Sequence, residues 1–515
     1  MVFARLVHVK EDCSTVCVLR LVLGSLAAAN IATFLPHAGY LYGSDGVYPN
    51  VLACTSFERR LSVLCYVDQA WFPTCVIVLA LVSATLFAVG LYTSVFKWST
   101  PLLFASVTYR NSLPLAGDQV FWNFLFLLAL SNCGGRYSVD AWLRSGRFSG
   151  STRRQEISAW PRYLMILQLT LVYTINGWVK IGPTYQQGSA AYYLFANQRF
   201  QRVPITPIVH QLAPYDAVAT WGELFFERYF WIVPLVLAVR RFASDGRMLN
   251  MAVNGTRALA VALAIAFHGS LMIFANLGWF VPATLACSLV LFSGDEIATA
   301  FRRFSRETYR LAPSRENLLP LRPNALWTRA VGSFVLFHAM AITIAAVPVQ
   351  WLDARPLRGV VRHWLVLTNT HQWWRMFSPD VPRETVGVRF IVTRTDGTEH
   401  VVAWDPRSPD NAHHAYVGLN RLEKVVQNLL KSNSPFRTQH MAFICHLAGN
   451  DSAEVRMYRV TRRIPEWHKP YESHPILEQE ILRSTCITET RELSDVVEGS
   501  ARELADDGWP SRRLR

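Results

Sequence analysis

Long apolar runs separated by polar segments occupy the chain from residue 14 to residue 348. A helix that crosses the hydrocarbon core of a bilayer needs about 20 mainly apolar residues. On this criterion we predict nine membrane spans, at residues 14–35, 71–92, 99–115, 119–133, 160–180, 227–242, 257–273, 276–294 and 328–348. The third and fourth spans are short. Arg110 and Asn111 at the end of the third span, and Asp118 before the fourth, are polar and must face the bundle interior or water.

Beyond residue 350 the pattern changes from long apolar runs to short alternating ones. Residues 386–394 and 399–404 alternate, and Asp396-Gly397 between them is a hairpin-turn dipeptide. The spacing of leucine and valine predicts a helix at residues 417–432, and residues 455–460 predict a further strand. We therefore expect a polytopic α-helical membrane domain at 1–350, a small extracytoplasmic α+β domain at 351–487 and a charged tail at 488–515.

Composition agrees with a membrane protein, because 51% of the residues are hydrophobic and only 17% are charged. The formal net charge is +14, and the arginines concentrate in the loops 134–159, 240–257 and 295–327. These loops fall on one side in a nine-span count, and the positive-inside rule makes that side cytoplasmic, together with the N-terminus. The loops 36–70 and 181–226 and the C-terminal domain then lie outside. Basic residues spread over several loops do not form the single basic face of a nucleic-acid-binding protein, so we expect membrane lipids and no nucleic acid as partners.

The nine cysteines are scattered and form no Cys-x-x-Cys pair. Zinc and redox motifs are therefore not expected, and we predict no metal site. Cys54 and Cys65 share a loop that we place outside, and Cys445 and Cys486 share the C-terminal domain. Disulfides can form in both places, but the sequence leaves the pairing open.

Lys180 ends the apolar run that begins at Trp160, and Gly182-Pro183 then breaks the helix. A lysine at the rim of a membrane helix has two interpretations. Its long side chain can place the ammonium among the lipid headgroups, as an anchor. Alternatively, partial burial lowers its pKa and leaves a neutral amine that can accept a proton.

Short motifs surround this lysine. They are Ile175-x-Gly177-x-x-Lys180, Tyr185-x-x-Gly188 and the aromatic run Tyr192-Tyr193-Leu194. Their order resembles the lysine segment of the vitamin K-dependent gamma-carboxylase, which belongs to the horizontally transferred transmembrane domain family. Further motifs of the family pattern follow the same order: Gly43-x-Asp45-Gly46-Val47-x-Pro49, Arg110-Asn111, Gly117-Asp118, Tyr137-Ser138-Val139-Asp140, Phe267-His268, Gly278-x-Phe280 and Gln372-x-Trp374-x-Met376-Phe377-x-Pro379. The resemblance covers roughly residues 10–405.

The resemblance implies a quinol-linked carboxylase reaction. In the family reaction, oxidation of a reduced naphthoquinone (vitamin K hydroquinone) is coupled to removal of a glutamate γ-hydrogen and addition of carbon dioxide. Lys180 then corresponds to the base that deprotonates the hydroquinone, and His268 to a histidine that hydrogen-bonds a quinol oxygen. We predict catalytic roles for these two residues and cofactor-binding roles for Trp178, Tyr185 and Asp118. The implied substrate is a peptide or protein on the outer face.

Other interpretations of the individual residues stay open. A lone intramembrane histidine such as His268 can also form a helix–helix hydrogen bond, and Asp118 can form a structural ion pair with Arg110. The aromatic-rich loop 181–226 contains a predicted amphipathic segment at 188–200, which is either an interfacial anchor or a lid above Lys180.

The aromatic residues Trp373, Trp374 and Phe377 follow the last predicted span, and this position is typical of an interfacial anchor. For the whole chain, two functions compete with a carboxylase-type enzyme. One is a non-enzymatic membrane scaffold or transport-related protein, and the other is a lipid- or quinone-binding protein without carboxylation.

Overall fold

A computed structural model gives the architecture of the chain. It describes residues 9–486 except 45, 49, 55–59, 111–114, 149–153, 203, 243–245, 306–324, 353–354, 373, 403–420, 432–435 and 450. Within these residues the protein is mainly helical, with a small antiparallel sheet towards the C-terminus. The predicted charged tail at 488–515 lies outside the described residues.

The first part of the chain forms a helical bundle, and a short antiparallel pair of strands, β1 (Lys10–Asp12) and β2 (Glu156–Ser158), lies beside its N-terminus. The helices of this part are α1 (Ser14–Ala32), α2 (Ala38–Tyr42), α3 (Asn50–Ala53), α4 (Phe72–Val89), α5 (Thr93–Tyr109), α6 (Ala116–Ala129), α7 (Val139–Ser145), α8 (Trp160–Val179), α9 (Pro183–Gln187), α10 (Ala190–Ala196), α11 (Thr206–Gln211), α12 (Ala213–Tyr229), α13 (Ile232–Phe242), α14 (Arg247–Phe274), α15 (Phe280–Cys287), α16 (Gly294–Ser305) and α17 (Ala325–Ala346). A helix therefore lies in each of the intervals that the apolar runs predict as spans.

Fewer of these helices are suited to cross a membrane. Among the described residues, four segments are long and apolar enough: Ser14–Tyr42, Phe72–Val89, Arg247–Phe274 and Leu326–Ala346. A bent pair, Phe280–Leu291 and Gly294–Arg303, whose halves meet at 100°, raises the number to five if it is one span. Three of the other predicted spans hold short helices, with 17, 14 and 11 residues in α5, α6 and α13. The described part of the chain thus has four or five candidate spans by length and composition, and the count of nine is not confirmed.

Helix α8 shows why the apolar pattern alone does not fix the number of spans. It has 20 residues, but it includes the buried polar residues Arg162, Gln168 and Asn176. It packs against α6, α12 and α17, so other helices cover much of its surface. A helix that is apolar on most sides lies either in lipid or in a protein core, and the sequence pattern alone does not separate the two.

Arg20 on α1 joins separate parts of the bundle and is fully buried. Its Nη1 donates to the carbonyl oxygens of Phe87 and Ala88, at 2.7 and 2.6 Å, near the C-terminal end of α4. Its Nε donates to the Cys133 carbonyl at 2.9 Å, and Nη2 donates to that of Tyr137. The guanidinium therefore supplies donors to carbonyl groups at the end of a helix and in the loop that follows α6.

The C-terminal part contains a four-stranded antiparallel sheet in the order β4-β3-β5-β6, which we call the C-terminal sheet. The elements of this part are α18 (Arg355–Leu367), β3 (Glu384–Arg394), β4 (Glu399–Val402), α19 (Arg421–Leu430), α20 (Phe436–Ala448), β5 (Ser452–Arg463) and β6 (Ile476–Thr485). The structure has a helix or strand at each predicted place: β3 and β4 form the predicted hairpin, α19 lies within the predicted helix at 417–432, and β5 contains the predicted strand at 455–460. Helices α18 and α20 and strand β6 were not predicted.

Two disulfides are present, Cys54–Cys65 and Cys445–Cys486. These are the two places where the sequence allowed a bond. The other five cysteines, Cys13, Cys17, Cys75, Cys133 and Cys287, are free thiols. Because disulfides persist mainly in oxidising compartments, both bonded regions are suited to an extracytoplasmic location.

Candidate functional site

Lys180 directly follows the last residue of α8, and its side chain is buried inside the protein with 1% of the residue exposed. Its Nζ forms ion pairs with Glu227 Oε2, at 2.7 Å, and with Glu223 Oε1. The interpretation of Lys180 as a lipid-headgroup anchor is therefore wrong, because the ammonium points at two carboxylates of the same chain.

Both carboxylates come from α12. Positions 223 and 227 are one helical turn apart, so their side chains project from the same face. Glu227 Oε1 also accepts a hydrogen bond from Asn176 Nδ2, at 2.9 Å, and Asn176 lies on α8 one turn before Lys180. We call Lys180, Glu223, Glu227 and Asn176 the lysine cluster.

Gly177 explains how α12 comes close enough to α8 to form the cluster. A Cβ atom at position 177 would lie 2.7 Å from Glu227 Cβ and 2.8 Å from Arg228 N. Arg228 Nε also donates to the Gly177 carbonyl at 2.9 Å, and its Nη2 donates to the Lys180 carbonyl at 2.8 Å. The glycine in the motif Ile175-x-Gly177-x-x-Lys180 is thus the contact point of the two helices.

The charges of the lysine cluster do not balance. Opposite charges at hydrogen-bond distance favour the ammonium form of a lysine, so the geometry does not favour the neutral amine that the sequence suggested. With Lys180 protonated and both glutamates ionised, the cluster carries one uncompensated negative charge. Burial makes an uncompensated charge unfavourable, and the cluster as a whole is therefore suited to accept one proton.

Tyr185 lies beside the lysine cluster, and its cofactor-binding role stays a prediction, whereas Trp178 lies on the surface of the helix. The Tyr185 ring centroid lies 5.6 Å from Lys180 Nζ, and its hydroxyl donates to the Phe377 carbonyl at 3.1 Å. Trp178 is 44% exposed, and its ring packs against the Arg228 guanidinium with a centroid distance of 5.4 Å. Trp178 therefore lies on the outer surface of α8, where its cofactor-binding role stays a prediction.

His268 forms a second polar contact close to the lysine cluster. Its Nε2 is 2.7 Å from the hydroxyl of Tyr173, and both side chains are buried. Its Nδ1 has no hydrogen-bond partner within the described part of the chain. The Tyr173 ring packs against Phe226, at 4.8 Å between centroids, and Phe226 precedes Glu227 on α12. The contact between Tyr173 and His268 therefore lies beside the part of α12 that carries Glu227.

Asp118 and Arg110 are both buried, and the structure shows contacts to other groups for each. Asp118 Oδ2 accepts a hydrogen bond from Leu115 N at 2.8 Å, at the N-terminus of α6. Arg110 Nη2 donates to the Tyr48 carbonyl at 3.0 Å and to the Asn50 side chain. Asp118 therefore caps a helix, and its role in cofactor binding stays a prediction.

The connecting segment, residues 376–381, leads from the bundle towards strand β3. It lies along the turn that follows Lys180. The Pro379 carbonyl accepts hydrogen bonds from Ile181 N, at 3.2 Å, and Gly182 N, at 2.8 Å. Asp380 accepts from Thr184 N at 2.9 Å. Met376 N donates to Asn176 Oδ1 at 2.9 Å, which brings the segment to the lysine cluster itself.

Two predicted interfacial anchors are buried instead. Trp374 is 2% exposed, and its Nε1 donates to Gln372 Oε1 at 2.6 Å, inside the bundle; Trp373 lies outside the described residues. Helix α10, in the predicted amphipathic segment 188–200, is also almost fully buried. Helix α12, which lies in the same predicted loop, has an exposed apolar face formed by Tyr215, Val218, Trp221 and Phe225.

Sequence reasoning missed Glu223, Glu227, Asn176 and Tyr173. A usable signal was present, because Glu223 and Glu227 are spaced at one helical turn and enclose the apolar residues Leu224-Phe225-Phe226. Carboxylates in such a context need a buried partner. No family model, curated protein or solved structure matches the chain. Within the described residues, no group of three or more His, Cys, Asp or Glu side chains is arranged to hold a metal ion.

Proposed function

We propose that this chain is an integral membrane enzyme that oxidises a reduced naphthoquinone, with dioxygen as the acceptor of the electrons and the lysine cluster as the acceptor of the quinol proton. The observation that carries this proposal is the buried cluster of one ammonium and two carboxylates, Lys180 with Glu223 and Glu227. In this proposal Lys180 positions the two carboxylates and compensates one of their two negative charges. The pair of carboxylates accepts the proton.

The residues around His268 fit a quinol ring. His268 Nδ1 is a buried polar atom with no partner in the described part of the chain, and it is suited to hydrogen-bond a quinol oxygen. Aromatic rings that exclude water surround it, because Phe267 and Phe280 pack against the imidazole and Phe230 packs against Tyr173. When bound, a naphthoquinol supplies two electrons and an acidic hydroxyl proton. The protein then orients the ring, keeps the site dry and takes the proton.

The resemblance to the gamma-carboxylase supports a more specific form of this proposal. In that form, the oxidation is coupled to addition of carbon dioxide to a glutamate of a peptide or protein at the outer face. The contacts between the connecting segment and the lysine cluster are consistent with it, since a substrate held by the C-terminal sheet would lie close to the site.

A binding measurement tests the proposed function. Purified protein in lipid nanodiscs should bind a short-chain reduced naphthoquinone under anaerobic conditions, and His268→Phe should weaken binding at least tenfold because it removes the ring nitrogens. His338→Phe is the matched control, since His338 is a buried histidine on α17. Absence of quinol binding by the wild-type protein would contradict the proposal.

A non-enzymatic scaffold is the second candidate, and one observation favours it. Lys180 connects α8 to α12 through two ion pairs, which is also how a purely structural lysine would act. On this alternative, substitutions in the lysine cluster change stability alone, and quinol binding is absent.

We further propose the nine-span topology with the N-terminus in the cytoplasm and the C-terminal sheet outside. Both disulfides support this arrangement, because the loop of Cys54–Cys65 and the C-terminal sheet fall on the same outer side. In a Cys75→Ser background, Thr398→Cys in the exposed β3–β4 hairpin should react with a membrane-impermeant maleimide on intact cells. Ser145→Cys, at the end of α7, should react only after permeabilisation. The reverse pattern would contradict the topology.

A further inference from the structure

Helix α12 carries a line of polar residues along its buried face. They are Asp216, Thr220, Glu223 and Glu227, and their spacing of four, three and four residues places them on one side of a helix. We call this set the α12 stripe. At 1.5 Å per residue it extends for about 16 Å. Asp216, Thr220 and Glu227 are buried, and the opposite face of the helix is apolar.

The two ends of the stripe have different surroundings. At one end, Glu223 and Glu227 contact Lys180. At the other end, the carbonyl of Ala213 accepts a hydrogen bond from Trp467 Nε1, at 3.0 Å, in the segment that joins β5 to β6. The stripe therefore leads from the lysine cluster to the contact between the bundle and the C-terminal sheet.

Asp216 is the least explained member of the stripe. It is 8% exposed, and its Oδ2 has no hydrogen-bond partner among the residues that the structure describes. A buried carboxylate oxygen without a partner is unfavourable, and the first turn of α12, where Asp216 lies, compensates for its charge through the helix dipole without giving Oδ2 a hydrogen bond. Thr220 Oγ1 accepts from Ala191 N at 2.9 Å, which leaves its own hydrogen free to donate.

We propose that the α12 stripe conducts protons between the lysine cluster and the region where the C-terminal sheet meets the bundle. This inference rests on the proposed function for the origin of the proton. A proton taken up by Glu227 or Glu223 passes through the Thr220 hydroxyl and intervening water to Asp216, and leaves to the outer solution. Only protons move, and the cluster returns to its single negative charge.

Burial raises the pKa of Asp216 to about 7. A carboxyl with this pKa gains and loses a proton near neutral pH, as a relay residue must. The elements packed around α12 carry these further titratable groups: Tyr173 on α8, Lys180 after it, Tyr185 on α9, Tyr192 on α10, His210 on α11 and His268 on α14. Tyr192 and His210 are engaged with each other at 2.9 Å, and His210 Nε2 also contacts the Lys469 carbonyl at 2.8 Å.

The test is a pH-jump measurement that does not need turnover. In nanodiscs, infrared carboxyl bands report protonation of Glu223 and Glu227 after a rapid change in pH. Asp216→Asn should slow this relaxation at least tenfold, and Asp216→Glu should retain most of the rate. Thr220→Val should also slow it, whereas Thr220→Ser should not. Asparagine is isosteric and removes a buried charge, so the Asp216→Asn variant is expected to fold.

The outcomes separate this inference from the proposed function. Slow relaxation in Asp216→Asn, with unchanged quinol binding, supports the stripe. If relaxation stays at the wild-type rate in both Asp216→Asn and Thr220→Val, the stripe is overturned even if quinol binds. If quinol does not bind but relaxation is slowed, the proposed function fails and the proton pathway stands.

Discussion

Lys180→Met is expected to reduce quinol-dependent oxygen uptake by about 10²–10⁴-fold, the range typical of a lost acid–base group. Without the ammonium, repulsion between Glu223 and Glu227 drives one of the two carboxylates to bind a proton in the resting protein, and burial without a cation favours the neutral form of the other. A cluster that already holds protons no longer accepts one from a quinol. Oxygen uptake with a reduced naphthoquinone in nanodiscs measures the effect, and Lys97→Met is the matched control, since Lys97 contacts the Ser131 carbonyl away from the cluster.

The same substitution also lowers stability, so folding and function must be separated. Removal of one partner from a buried ion pair costs about 3–5 kcal/mol, because the remaining charge has no partner. The triple variant Lys180→Met, Glu223→Gln, Glu227→Gln removes all three charges and should recover much of this loss without recovering oxygen uptake. If the triple variant regains oxygen uptake, the lysine cluster is not the proton acceptor.

Arg20→Met is expected to cause the largest loss of stability in the bundle. Three carbonyl groups, those of Ala88, Cys133 and Tyr137, would lose their side-chain donor, and the Phe87 carbonyl would keep only Gly90 N, at 3.1 Å. A buried polar group without a partner costs about 1–3 kcal/mol, so the sum is a large part of the stability of a typical fold. Thermal unfolding in detergent, followed by tryptophan fluorescence, should show a marked fall in the transition temperature or a failure to fold.

Two further variants define the role of Arg20. Arg20→Lys should rescue little, because an ammonium does not reproduce the planar fork that reaches carbonyls in several directions. Arg144→Met is the matched control: Arg144 is exposed and Nη2 donates to one carbonyl, that of Gly134, at 3.0 Å. Equal losses of stability in Arg20→Met and Arg144→Met would contradict the role of Arg20.

The position of helices and strands was largely predictable from local patterns. Apolar runs located the helices of the bundle, and Asp396-Gly397 located the hairpin between β3 and β4. The number of spans was not predictable from local patterns, because a helix such as α8, which other helices cover over much of its surface, gives the same apolar signal as a helix that faces lipid. Short helices such as α6 and α13 produced the same signal.

The lysine cluster was only half predictable. Lys180 ends a helix and precedes a break, so its position was visible in the sequence. Its partners lie 43 and 47 residues later, on a helix that the sequence showed as part of a loop. Their approach depends on Gly177, whose missing side chain admits α12. Such a close approach is a property of packing between helices, and local patterns do not report it.

The connecting segment makes the membrane bundle and the C-terminal sheet inseparable. The backbone of the turn after Lys180 has its hydrogen-bond acceptors in residues 379 and 380, which lie four to five positions before β3. A chimaera that exchanges the C-terminal sheet for a domain of another protein would therefore have to keep these residues to preserve the geometry of the turn. The residues that lead to β3 are constrained by these hydrogen bonds, whereas the strands beyond residue 384 are not.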